Sequence, residues 1–296
     1  MAVSRDPRVG LFGPGSMAWR VDREVLILAG GTCALLMQLA HPAVAAGVEQ
    51  HSDFRTDPFA RLRRTLTASY DVVFGSTSRA ERAIGRMNAI HSAVRGSIPE
   101  TGTSYAARDP RLLLWVQATL VDTALRIFDR YVEPLTDAQA QAYHAEGREV
   151  AVRLGVPEEL MPATLAELRA EMAAMIASGE VHVSPTARSL APFVMYPTAL
   201  PPRFVWDAAH LVSMSVMPPS LREQYRIRWS AARERGMRRA AVGIRRVLPL
   251  VPAPLRFVPQ YRSALRRAGS APPRAGSALL RVSSGATNRE AADARP

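Results

Sequence analysis

Residues 25–48, VLILAGGTCALLMQLAHPAVAAGV, carry no formally charged side chain, and this run limits the fold more than any other feature of the chain. Its length reaches the about 20 apolar residues that a bilayer-crossing helix needs. Its content argues against that use. Gly30, Gly31, Thr32, Gln38 and His41 dilute the apolar character, and Pro42 kinks or ends a helix because it lacks an N–H and crowds the preceding turn. Such a segment reads as a central helix covered on all sides by others. The rest of the chain must then supply the cover.

Helical signals do run along most of the sequence. Asp22-Arg23-Glu24 reads as the opening of the first long helix, with acidic groups near its positive end. DPFARLRRTLTASYDVVFGS starts after Asp57 with Pro58 in first position and stops at Gly75. Ser78 reads as the cap of the next helix, with Glu81 completing a capping box and Gly96 as terminator. Further helices follow Asp109 and Thr136, and ATLAELRAEMAAMIASG and PPRFVWDAAHLVSMSV repeat the pattern. No strand signal is convincing and no internal repeat is present. The reading is an all-α, multi-helix domain over residues 20–235, preceded by an extension over 1–19. A basic and apolar extension covers 236–267. Residues 268–296, rich in Gly, Ser, Ala, Pro and Arg, read as a disordered tail.

With 296 residues, 48% of them apolar, the chain has ample core material. Its net charge of +12 comes from 38 arginines and no lysine, a bias that points to overall composition rather than to a nucleic-acid surface. No basic stripe interleaved with aromatics accompanies it, so no specific nucleic-acid partner is expected. The single cysteine, Cys33, excludes an intrachain disulfide framework and sits among apolar residues as a small hydrophobe. The N-terminal stretch lacks a signal-peptide core, so the expected location is the cytoplasm. Residues 239–258 mix arginines with apolar side chains and leave room for peripheral membrane contact.

No HExxH zinc signature, Cys/His cluster, GxSxG elbow, P-loop or dinucleotide fingerprint occurs. Asp207-x-x-His210 is the nearest approach to a di-iron pair. His91 lies in an apolar stripe with Ile84, Met87 and Ile90, and Arg95 follows one turn later. A histidine there reads either as a satisfied core residue or as a neutral imidazole placed to bind haem iron. Arg61 and Thr65 form a second pair one turn apart, although Asp53, Asp57 and Arg61 also read as surface pairs at a helix start. Tyr105, Trp115 and Gln117 are candidate pocket walls.

LLMQLAHPAVAAGVEQHSDFRTDPFARLRRT, the His91-x-x-x-Arg95-Gly96 helix end and YAARDPRLLLWVQATLVDTAL together resemble the bacterial branch of the MpaB-type oxygenase family, to which the latex-clearing rubber oxygenases also belong. The resemblance implies a globin-like helical core holding haem b, with His91 as proximal iron ligand and Arg95 beside it. It implies Arg61 and Thr65 near the haem and a distal glutamate, for which Glu49 is the candidate. His41 then lines the pocket or bonds a helix end. One departure stands out: where that branch continues its DPxLLxWV segment with histidine, this chain has Gln117, which is a poor iron ligand and retunes a pocket contact. The function so implied is a haem b-dependent oxygenase using dioxygen on an apolar or aromatic small molecule. A haem-binding sensor, carrier or peroxidase-like protein, and a cofactor-free helical interaction protein, are the alternatives.

Overall fold

The computed structural model describes residues 6–198 and 201–269, so the tail expected over 268–296 lies almost wholly outside the described residues. The uncharged run does not form one helix. It makes a 3₁₀ turn over Val25–Gly30, then α2 (Gly31–Leu39), and then breaks at His41 before α3 (Pro42–His51). The two arms meet at 103°. Pro42 accounts for the break, since its missing N–H fits the first position of a new helix and not the interior of an old one. His41 takes the extended backbone of an N-cap, and its Nδ1 accepts from the Ala43 N–H at 3.3 Å. Among the described residues no single helix is long and apolar enough to cross a membrane; the bent pair alone passes by length and composition.

Local capping explains most of the other helices. Asp57 and Asp109 accept from Ala60 and Arg111 N–H groups, each just before a proline, and open α4 (Pro58–Phe74) and α6 (Pro110–Ile127). Thr136 with Gln139 and Thr164 with Glu167 form reciprocal capping boxes on α7 (Asp137–Arg153) and α8 (Leu165–Ala177). A π-helical turn, Phe128–Val132, continues α6. The remaining helices are α1 (Met17–Asp22), α5 (Thr77–Ala93), α9 (Pro185–Met195), α10 (Arg203–Val216), α11 (Pro219–Gln224), α12 (Ala231–Val247), α13 (Ala253–Arg256) and α14 (Pro259–Arg267).

Three local expectations change. Asp22 closes α1 instead of opening a long helix, and Glu24, almost fully buried, receives two hydrogen bonds from Arg256 at 2.8 and 2.9 Å. The Ser78–Glu81 box does not form, because the helix starts two residues earlier, behind Ser76. Gly96 is not a helix terminator but lies in β1 (Arg95–Ser97), which pairs antiparallel with β2 (Ser104–Ala106). A Cβ there would come within 2.3 Å of Gln50 Oε1 and 2.9 Å of Tyr105 Oη, so glycine is required by close packing.

The core gathers around α2, which packs against α6, α9 and α10. Its last-turn carbonyls at Leu36 and Met37 share the Ala40 N–H, and side chains add further donors: Trp115 Nε1 to Met37 O at 3.0 Å and Tyr225 Oη to Leu36 O at 2.7 Å. Cys33 is fully buried beneath them, and burial pushes its thiol up to about 12, as expected for an inert hydrophobe. At the far end, the chain returns to its start: the Val258 N–H donates to Arg23 O at 2.8 Å, and Phe257 pairs with Glu24 in an isolated bridge.

A candidate site in a cavity beside α6

A pocket of about 260 Å³, partly open to solvent past Leu28 and Leu120, is lined by α1, the 3₁₀ turn, α2, α4, α5, α6 and α7. Helical spacing sets its α6 wall: Gln117, Leu120, Val121 and Ala124 fall on one face. Gly147 of α7 lets the opposite wall come close, because a Cβ there would meet Val121 Cγ2 at 2.7 Å. The same approach exposes the Gly147 carbonyl to Gln117, whose Nε2 donates to it at 3.1 Å.

Most of the lining is apolar, from residues such as Ile27, Leu28, Ala34, Leu66, Val73 and Val150. Its titratable groups include two acids and a phenol that meet at one end, Asp22, Glu146 and Tyr143. Tyr143 Oη donates to Asp22 Oδ1 at 2.9 Å, and Asp22 Oδ2 has no protein partner among the described residues. Burial pushes the Asp22 carboxyl up to about 7, partly offset by the Tyr143 hydrogen bond and reinforced by the nearby Glu146 charge. Burial, then Asp22 itself, holds the Tyr143 phenol well above its usual range. Glu146 is raised by burial too, less so because the Met17 and Ala18 N–H groups donate to its two oxygens. Asp22 is thus a carboxyl that keeps its proton near neutrality and has one oxygen turned to no partner.

Of the candidate catalytic and cofactor-binding residues read from the sequence, only Gln117 lines this cavity. His41 caps α3, with Nε2 3.8 Å from Glu180, and burial lowers its pKa. Glu49 receives Arg55 Nε at 2.9 and 3.0 Å. Arg61 donates to Ser52 Oγ at 3.1 Å and stacks over Phe54 at 4.9 Å, its pKa lowered by burial. Thr65 is exposed. His91 sits in the last turn of α5, one turn beyond the cavity residue Met87, with its Nδ1 buried and unpartnered and its pKa lowered by burial and then by Arg108. Arg95 is exposed on β1 and donates to Ser92 O at 3.1 Å. Asp22, Tyr143 and Glu146, which do meet, had no local sequence signal linking them.

The expectation of haem b is corrected by this geometry. Among the described residues no group of three or more His, Cys, Asp or Glu side chains is placed to hold a metal ion. No histidine lines the cavity, and the side chain at the position expected to be histidine is Gln117, with its amide N–H engaged by Gly147. The volume is also below the about 300–1,000 Å³ of pockets that take drug-sized ligands, and a porphyrin is larger than most of those. The residues present do not fit the group.

Fold and pocket define a mainly helical domain with a small, partly open apolar pocket beside α6. The family described as ER-bound oxygenase mpaB/B′ and rubber oxygenase, catalytic domain, matches residues 19–246, and the chain belongs to it. Two curated relatives, the uncharacterized proteins Mb2261 of Mycobacterium bovis and Rv2237 of Mycobacterium tuberculosis, are each 33% identical over 132 residues, 43% of this chain and 51% of theirs. The chain therefore spans about half the length of the curated relatives it matches. No solved structure matches it.

Proposed function

We propose that the chain is an oxygenase-family enzyme that takes an apolar or aromatic small molecule with one hydrogen-bonding end into the cavity beside α6, with dioxygen as co-substrate. Family membership supports the reaction class. The observation that carries the binding mode is the Asp22–Tyr143 pair at one end of an otherwise apolar chamber. A carboxyl that holds its proton near pH 7 donates from Oδ2 to a substrate oxygen or nitrogen and returns the proton as charge develops there. Tyr143 keeps Oδ1 occupied and fixes the carboxyl plane, and Gln117 holds α6 and α7 together across the chamber.

The test uses 6-propionyl-2-dimethylaminonaphthalene, an apolar fluorophore with a single carbonyl acceptor. Gly31 lines the cavity at an ordinary helical position, and a Cβ there meets nothing within 4 Å. Gly31→Phe therefore fills the chamber without a backbone clash. Fluorescence titration is expected to show binding to the wild type, at least about tenfold weaker binding to Gly31→Phe, and about fivefold weaker binding to Asp22→Ala, the value of one hydrogen bond. Equal binding by wild type and Gly31→Phe would overturn the placement.

A further inference from the structure

On the opposite side of α6 lies an open cleft of about 1400 Å³ between α6, α8, α11 and α12. It shares no lining residue with the cavity. Asp122 and Arg126, one turn apart on α6, face it, and Arg169 reaches it from α8. Asp122 is buried and receives both guanidinium groups: Arg126 Nε at 2.5 Å on Oδ2 and Arg169 Nε at 2.7 Å on Oδ1. Each arginine spends only its Nε on this carboxylate. The Nη1 and Nη2 groups of both have no acceptor among the described residues, and the side chains remain 45% and 42% exposed.

Charge in the cleft is unbalanced in the same sense. Six arginines line it against three carboxylates. Glu234 is taken up by Arg130 at 2.8 Å and Trp229 Nε1 at 3.0 Å, and Asp129 accepts the Leu135 N–H. Arg238 approaches Glu234 at 3.8 Å, and Arg245, which also lines the cleft, has no ion-pair partner among the described residues. Beside these cations the cleft is apolar: Met172 and Ile176 follow Arg169 on the same face of α8, and Met217 and Val242 close the other side.

We propose that this cleft is a binding site for an amphipathic anion, a phosphate or carboxylate bearing an apolar chain, with the anion held by the free guanidinium ends of Arg126 and Arg169. Two guanidinium groups fixed on one buried carboxylate leave one net positive charge and two planar forks, the donor arrangement that matches a carboxylate or phosphate edge. A bare anion would leave the apolar half of the cleft wet; an uncharged lipid would leave the forks unpaired. The source is either a soluble amphiphile or the headgroup region of an anionic lipid, and the same side chains serve both.

Calorimetric titration of the full chain with octyl phosphate, with inorganic phosphate as comparison, tests this. Octyl phosphate is expected to bind at least about tenfold more tightly than inorganic phosphate, and with an affinity that falls as salt rises. Arg126→Gln with Arg169→Gln is expected to weaken it at least about tenfold. Ala173→Trp, at an exposed position of α8 in the cleft, blocks the apolar half without touching Asp122 and is expected to weaken octyl phosphate while leaving inorganic phosphate unchanged. Co-sedimentation with phosphatidylglycerol vesicles, lost in the double variant and not seen with phosphatidylcholine, assigns the ligand to a lipid headgroup; octyl phosphate binding without pelleting assigns it to a soluble amphiphile. Equal binding of the two phosphates, or full octyl phosphate binding by both variants, overturns the proposal.

Discussion

On one side of α6, Asp22 sits at the end of a mostly apolar pocket and takes one hydroxyl donor, Tyr143; on the other, Asp122 sits between two guanidinium groups at the floor of an open cleft. Both carboxyls are withdrawn from bulk water. What separates them is the company each keeps. A lone phenol cannot hold a charge in a dry site, so Asp22 gains a proton. Two arginines can pair a carboxylate, so Asp122 becomes the anchor of a cationic surface. One helix thereby divides the domain into a compartment suited to apolar matter and one suited to anions, and the residues at 117, 120, 121 and 124 against those at 122 and 126 show the division in the sequence periodicity.

The largest expected effect that sharpens this contrast is one of pH. An aspartate in an unfolded chain titrates near about 3.9, whereas Asp22 is pushed up to about 7. Between those values the folded chain keeps a proton that the unfolded chain has released, so this group makes stability fall as pH rises from about 4 to about 7 and level off above. The full amount is up to about 4 kcal/mol. His41, His91, His144 and His210, all held low by burial, act in the opposite sense: below about 6.5 the unfolded chain takes up their protons first, and stability falls as pH falls. The measurement is therefore the difference between wild type and Asp22→Asn in urea unfolding, taken from about pH 4 to about pH 8. It is expected to move steadily in favour of the variant; a difference that does not vary with pH would break the comparison.

Asp122→Asn should behave oppositely, lowering stability by about 2–3 kcal/mol at pH 7, because two guanidinium groups lose their carboxylate while remaining part-solvated. Denaturant unfolding beside Asp22→Asn reads the two signs directly. Tyr143→Phe should cost about 1 kcal/mol and raise the Asp22 titration further, since the lost hydrogen bond is the one that holds it down. The carbon-13 shift of the Asp22 carboxyl across pH reports it. The smallest expected effect is none: haemin added to the wild type should give no protein-dependent Soret band. A band that disappears in His91→Ala would restore His91 as an iron ligand and undo the account of the chamber.

Much of the fold was legible because its instructions are local. Asp57-Pro58, Asp109-Pro110 and Thr136 with Gln139 each place a donor-satisfying side chain within three residues of the backbone it serves. Family membership was equally legible, from the long block around His41. The hairpin after α5 was not, since three-residue strands carry no periodicity, and the need for Gly96 arises from Gln50 and Tyr105. The site was least legible. Asp22 meets Tyr143 across 121 positions and Asp122 meets Arg169 across 47, and in sequence each reads as a helix-end charge or half of an i,i+4 pair. Haem was inferred from the resemblance, and Gln117 was the one local sign against it.

The strap that joins Arg23 and Glu24 to residues 256–258 also orders events in time. The uncharged run around α2 leaves the ribosome ahead of the Arg256 side chain that secures its leading edge, which follows 232 positions later. At bacterial elongation rates of about 5–20 residues per second, that interval is on the order of 10–50 s. Throughout it, the most apolar stretch of the nascent chain is without its final clasp.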